Sequence, residues 1–171
     1  ETELSATGRT NADDTRDVEY AGGNPIPATG FTYDGGSGSG SDSLALNNGS
    51  FASITHNFTS SSSGTIDMDG SIITYGGLEP IADNLSADVR TFNFGSADDV
   101  VTIEESGVNG DSISRISSVS SSETVDFRTA TSSIIVNLGA GNDTLTATGL
   151  DAAFAGTLTV DGQDGDEILD F

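Results

Sequence analysis

The sequence predicts an all-β fold, and three observations carry that reading. Beyond Phe31, short stretches such as "SITHNF", "TFNF" and "SIIVNL" alternate apolar and polar residues with the period of two that marks strands. Gly, Ser, Asn or Asp punctuates most boundaries between them. The 3.6-residue period of an amphipathic helix is nearly absent. Leu, Ile, Val and Phe make up 39 of the 171 residues. That allows a core, but a thin one built from many small contacts.

Taken in order, residues 1–29 hold scattered apolar positions (Leu4, Val18, Tyr20, Ile26) and the prolines Pro25 and Pro27. They read as an acidic, flexible leader that buries little surface. Residues 30–171 carry the strand-like stretches "FTY", "SLAL", "FASITHNF", "TIDM", "SIITY", "TFNF", "VVTI", "SISRI", "TVDF", "SIIVNL", "TLTA", "TLTV" and "EILDF".

A turn of the form small-x-small/acid-x-acid-x-apolar recurs between these strands. It is found at Gly38-x-Gly40-x-Asp42-x-Leu44, Gly95-x-Ala97-x-Asp99-x-Val101, Gly139-x-Gly141-x-Asp143-x-Leu145 and Gly162-x-Asp164-x-Asp166-x-Ile168. Weaker copies stand at Gly64-x-Ile66, Asp83-x-Leu85 and Glu123-x-Val125. The steps from Asp42 to Asp166 average about 21 residues, the size of one coil of a parallel β-helix or β-solenoid. An antiparallel β-sandwich with two strands per repeat would produce the same period. Core economy favours the solenoid, since aliphatic ladders such as "IIVNL" need no large central side chains.

Charge bounds the partners. There are 27 acidic residues against five basic ones, all Arg, for a formal net charge of -22. Such a surface repels nucleic acid and anionic membranes, which need clustered cations, and attracts cations instead. No apolar run approaches the roughly 18 residues of a membrane span. With no Cys, disulfides and thiol chemistry are absent. The opening "ETELSATGRT" has neither Met nor a signal-peptide pattern, and the chain reads as a piece of something longer. Abundant Ser, Thr, Gly and Asp without Lys points to an extracellular bacterial setting.

Stacked corners would bring carboxylates about 4.8 Å apart. They would repel by roughly 1 kcal/mol in water and about 3.5 kcal/mol at an effective dielectric of about 20. Splaying into solvent relieves this, and so does sharing a cation. Calcium takes six to eight oxygen ligands, backbone carbonyls included. The candidate ligands are Asp143 and Asp166 with Asn142, Asp161 and Asp164 beside them, followed by Asp99 and Asp42. Local hydrogen bonding in turns explains the same residues without metal.

The "GAGNDTL" of 139–145 and "GSGSDSL" of 38–44 resemble the hemolysin-type calcium repeat, G-G-x-G-x-D-x-(apolar)-x. That family sets nine-residue copies in tandem, whereas here the copies lie 20 or more residues apart. A second resemblance covers residues 31–171, from "FTYDGG" through "ITYGGLEPIADNL", "FNFGSADD" and "SSIIVNLGAGNDTL" to "GLDAAFAGTLTVDGQDGDEI". It is to a repeat module of giant bacterial surface exoproteins, and implies an adhesive or cell-envelope role with no catalytic residues.

His56 is the only histidine and there is no Cys, which leaves zinc without a ligand set. No Ser lies in a G-x-S-x-G elbow. These features together predict a non-catalytic, calcium-stabilised module of the cell surface. Its partners would be neighbouring modules, copies of itself, or surface glycans. The rivals are a self-assembling filament or surface-layer subunit joined by strand edges, and a glycan-active β-helix enzyme.

Overall fold

The computed structural model describes residues 4–37 and 40–171. Gly38, the first glycine of the most upstream turn, lies outside them. Sixteen strands are present: β1 (Leu4–Thr7), β2 (Thr15–Glu19), β3 (Phe31–Asp34), β4 (Ser43–Asn47), β5 (Ser50–Ser60), β6 (Ser63–Met68), β7 (Ser71–Gly76) and β8 (Ile81–Asp83), then β9 (Ser86–Asn93), β10 (Val100–Glu105), β11 (Ile113–Ser118), β12 (Ser122–Arg128), β13 (Ser133–Asn137), β14 (Thr144–Ala147), β15 (Thr157–Asp161) and β16 (Ile168–Asp170). No helix occurs among the described residues, so the all-β prediction holds.

The strands form two open sheets of eight. One has the order β1-β3-β7-β6-β5-β9-β13-β15, the other β2-β4-β8-β12-β11-β10-β14-β16. Chain neighbours such as β1 and β2, β3 and β4, or β13 and β14 thus fall in different sheets at matching places. Most pairs are parallel. The exceptions are β5-β6-β7 in the first sheet and β10-β11-β12 in the second, each an antiparallel switchback. In the first, Asp69 and Gly70 supply the two positive-φ residues of a two-residue hairpin turn.

Two expectations are corrected here. Parallel partners are not spaced uniformly by about 21 residues. Ile134 pairs with Leu158, 24 further on, and Thr15 with Ser43, 28 further on. Ile81 pairs with Val125, 44 further on, because a switchback is inserted between them. The leader expected over residues 1–29 is also drawn into the sheets from Leu4 onward, with β1 on β3 and β2 on β4. Its few apolar residues suffice because they fall on the inward side, where Val18, Tyr20 and Ile26 are buried.

The inward faces of both sheets share one core. It is mostly aliphatic, with rings where the switchbacks meet, and Phe92 of β9 touches Phe127 of β12 at a centroid separation of 4.8 Å. Inside this core lies a buried polar trio. Asp83 of β8 receives a hydrogen bond from Arg90 Nη1 of β9 and meets His56 Nε2 of β5 at 3.0 Å. Arg90 Nε and Nη2 also donate to the carbonyls of Arg128 and Leu85. All three residues are fully buried. Burial pushes the Asp83 carboxyl up, but Arg90 and His56 outweigh it and hold the group well below the usual range. Burial pushes His56 down, against the opposing pull of Asp83.

At the ends of the first sheet's strands, amides bond to each other across the ladder. Asn93 Nδ2 donates to Asn57 Oδ1, and Asn137 Nδ2 to Asn93 Oδ1, both at 2.7 Å.

Candidate functional site

The acidic corners form rows along one side of the second sheet. Leu44, Ile81 and Val125 stand level on β4, β8 and β12. Asp42, Glu79 and Glu123 lie two places before them along the chain, and Asp14 joins Asp42 through the Thr15–Ser43 pair. Beyond β11, Val100, Thr144 and Ile168 stand level. Asp99, Asp143 and Glu167 precede them. In this inner row Asp42, Asp99, Glu123 and Asp143 are buried.

Glycines let the corners pack. A Cβ on Gly139, whose φ is +93°, would sit 1.7 Å from the Gly95 carbonyl oxygen. One on Gly165, at φ +140°, would sit 1.6 Å from that of Gly141. The G-x-G of the recurring turn therefore answers a backbone contact between adjacent corners, beyond any demand of a metal.

Four of the corner acids are engaged in clasps between neighbouring corners. Asp143 Oδ1 accepts the Asp99 amide at 2.8 Å, and Asp42 Oδ1 accepts that of Asp14 at 2.9 Å. One residue earlier, an outer row repeats the device. Asp13 accepts from the Ser41 amide, Asp98 from that of Asn142, and Asn142 from that of Asp166. The same arrangement thus recurs at two places in the second sheet.

The predicted ligands divide accordingly. Asp99 and Asp143 are brought together. Asp143 and Asp166 are not, because Thr144 pairs with Ile168 and places Asp143 level with Glu167. A slip of one residue sends a side chain to the opposite face, and Asp166 is exposed beside Asn142 in the outer row. Asp161 closes β15 and accepts the Gln163 amide. Asp164 is exposed and bridges to Ala140. Asp42 stands at the far end of the inner row with Asp14.

The clasps leave three buried oxygens of the Asp99–Asp143–Glu167 set without a hydrogen-bond partner: Asp99 Oδ2, Asp143 Oδ2 and Glu167 Oε1. Asp99 Oδ1 accepts from Ser121 Oγ. Burial first, then the charges of Asp143 and Asp98, push Asp99 up to about 6. Glu123 is pushed up to about 7 by burial, with Glu79 adding to it. These oxygens suit a hard cation, which prefers oxygen ligands. Among the described residues, however, no three acidic or His side chains converge as a metal group. A calcium ion at Asp99 and Asp143 would therefore complete its shell with hydroxyl, carbonyl and water oxygens.

Sequence reasoning missed the buried trio, although a signal was present. His56 falls in phase with Ile54 and Phe58, Asp83 with Ile81 and Leu85, and Arg90 with Phe92 and Phe94. Each is a polar residue on the apolar phase of its strand. The chain matches no protein-family model, no curated protein and no solved structure.

Proposed function

We propose that this chain is a non-catalytic structural and adhesive module of a large bacterial surface protein, built as a two-sheet β-solenoid and stabilised by calcium. The reading is carried by the inner row, where corner carboxylates from successive parallel strands stand level while Asp99 and Asp143 keep unpartnered buried oxygens. A cation there relieves like-charge repulsion and ties β10 to β14. The test is a melting curve against calcium concentration. Saturating millimolar calcium should raise the midpoint, and Asp143→Asn should abolish most of the rise. An unchanged midpoint in the parent protein would remove calcium from the reading.

A second reading, end-to-end assembly of copies, is favoured by the β15–β16 end. There Ile168, Leu169 and Phe171 are exposed beside free strand edges. Unpaired edges can template another chain. Sedimentation with and without calcium distinguishes the readings, because a strict monomer under both conditions eliminates assembly.

A further inference from the structure

We infer that the cavity between Glu79 and Glu123 is a second divalent-cation site, with the two carboxylates and the Ser122 hydroxyl as its protein ligands. It lies on the other side of β11 from Asp99 and Asp143, and it stands or falls independently of calcium at that corner.

The cavity measures about 450 Å³ and is lined by Ser61, Glu79, Pro80, Arg115, Ser122 and Glu123 among others. Glu123 is 2% exposed and Ser122 is 4% exposed. Glu123 Oε1 accepts the Thr124 amide at 2.9 Å, while its Oε2 and the Ser122 Oγ have no hydrogen-bond partner. Glu79 lies just before β8, the strand paired with β12, and its charge raises the cost of ionising Glu123.

The only cation lining the cavity does not neutralise them. Arg115 Nε and Nη2 are held by both oxygens of Asp126, at 2.6 and 2.8 Å. Two carboxylates and a hydroxyl lining one cavity without a countercharge fit a small hard ion. Organic ammonium ions and sugar rings favour an aromatic wall, and none of the lining residues is aromatic.

The phenol of Tyr75 is buried without a partner and lies within the field of Glu123. It can serve as a local antenna. Terbium(III), an oxygen-seeking stand-in for calcium, emits when excited through a nearby tyrosine. The chain has three tyrosines and no Trp, so each antenna can be removed in turn. Titration of the whole protein should give tyrosine-excited emission that calcium competes away.

Glu79→Gln and Glu123→Gln should each weaken terbium binding about tenfold or more, since affinity follows ligand charge count. Glu79 is exposed, so its variant keeps the test valid if the buried one folds poorly. Tyr75→Phe should dim the emission, and Asp143→Asn should leave it in place. Three results would overturn the proposal: no tyrosine-excited emission, emission and affinity unchanged in both Gln variants, or loss of emission only in Tyr33→Phe. The last would assign the signal to the Asp14–Asp42 corner, whose charges act on Tyr33.

Discussion

The core and the corner of this molecule bury carboxylates in opposite ways. Asp83 is fully buried, yet it is matched by Arg90 and hydrogen-bonded by His56. Asp99 and Glu123 are buried to nearly the same degree with acids as their neighbours. The difference teaches that burial alone does not set the state of an acid here. Arg90 and His56 outweigh it at Asp83, and no countercharge opposes it at Asp99 or Glu123.

The two regions therefore respond to pH with opposite sign. Asp83 has a depressed pKa, so its contribution is present above the unfolded value of 3.8 and is lost as pH falls. His56 is also depressed, from 6.5, and the unfolded chain takes up a proton that the folded one resists. Its effect too weakens the fold below about 6.5. Asp99 rises from 3.8 to about 6 and Glu123 from 4.5 to about 7. For these the folded state holds protons more tightly, so stability falls as pH rises through that window.

The comparison can be broken most severely in the core. Arg90→Met leaves Asp83 buried without its guanidinium partner, and should cost about 3–5 kcal/mol in a denaturant titration at neutral pH. Adding Asp83→Leu to that variant should recover much of the loss, because no lone charge remains. If the double variant is as unstable as the single, the trio is held by shape instead of charge. At the corner, Gly139→Ala should cost about 3 kcal/mol or more through the clash with Gly95.

Smaller effects sharpen the contrast. Asn93→Ala removes the middle of the amide ladder and should cost about 1–3 kcal/mol, as a neutral counterpart of the acidic row. Asp99→Asn should do the reverse. Without divalent cations it should melt above the parent protein at pH 8, with the gap narrowing toward pH 4. A lower melting point at pH 8 would mean that the clasp outweighs the repulsion. Arg115→Ala breaks a half-exposed pair with Asp126, and its effect should stay within about 1 kcal/mol.

How much was legible in the sequence follows from which interactions are local. Period-two alternation depends on residues two apart, so the all-β class and most strands could be read directly. The corner acids at Asp42, Asp99, Glu123 and Asp143 were also visible, because each stands two places before an apolar strand residue. Their neighbours were not. Asp99 meets Asp143 across 44 residues because a switchback lies between them, and Asp143 stands level with Glu167 instead of Asp166 because the last turn pairs one residue out of step with the sequence repeat. No spacing rule reveals an inserted hairpin. Residues 4–29 were misread because composition weighs a segment's mean, while Val18, Tyr20 and Ile26 act by position.

The switchbacks have a mechanical consequence. In a plain stack each layer holds only its chain neighbours, and a pull on the ends unzips it one layer at a time. Here the chain passes from β4 to β5, returns through β6 and β7 to the strands beside β3 and β4, and then leaps from β8 to β9. The central strands are thus threaded between partners from both earlier and later chain. Under tension, a central layer such as β7 and β8 is held by partners distant in the chain as well as by its neighbours. The centre of the fold is spliced, as in a rope, so that load on one layer is shared with others.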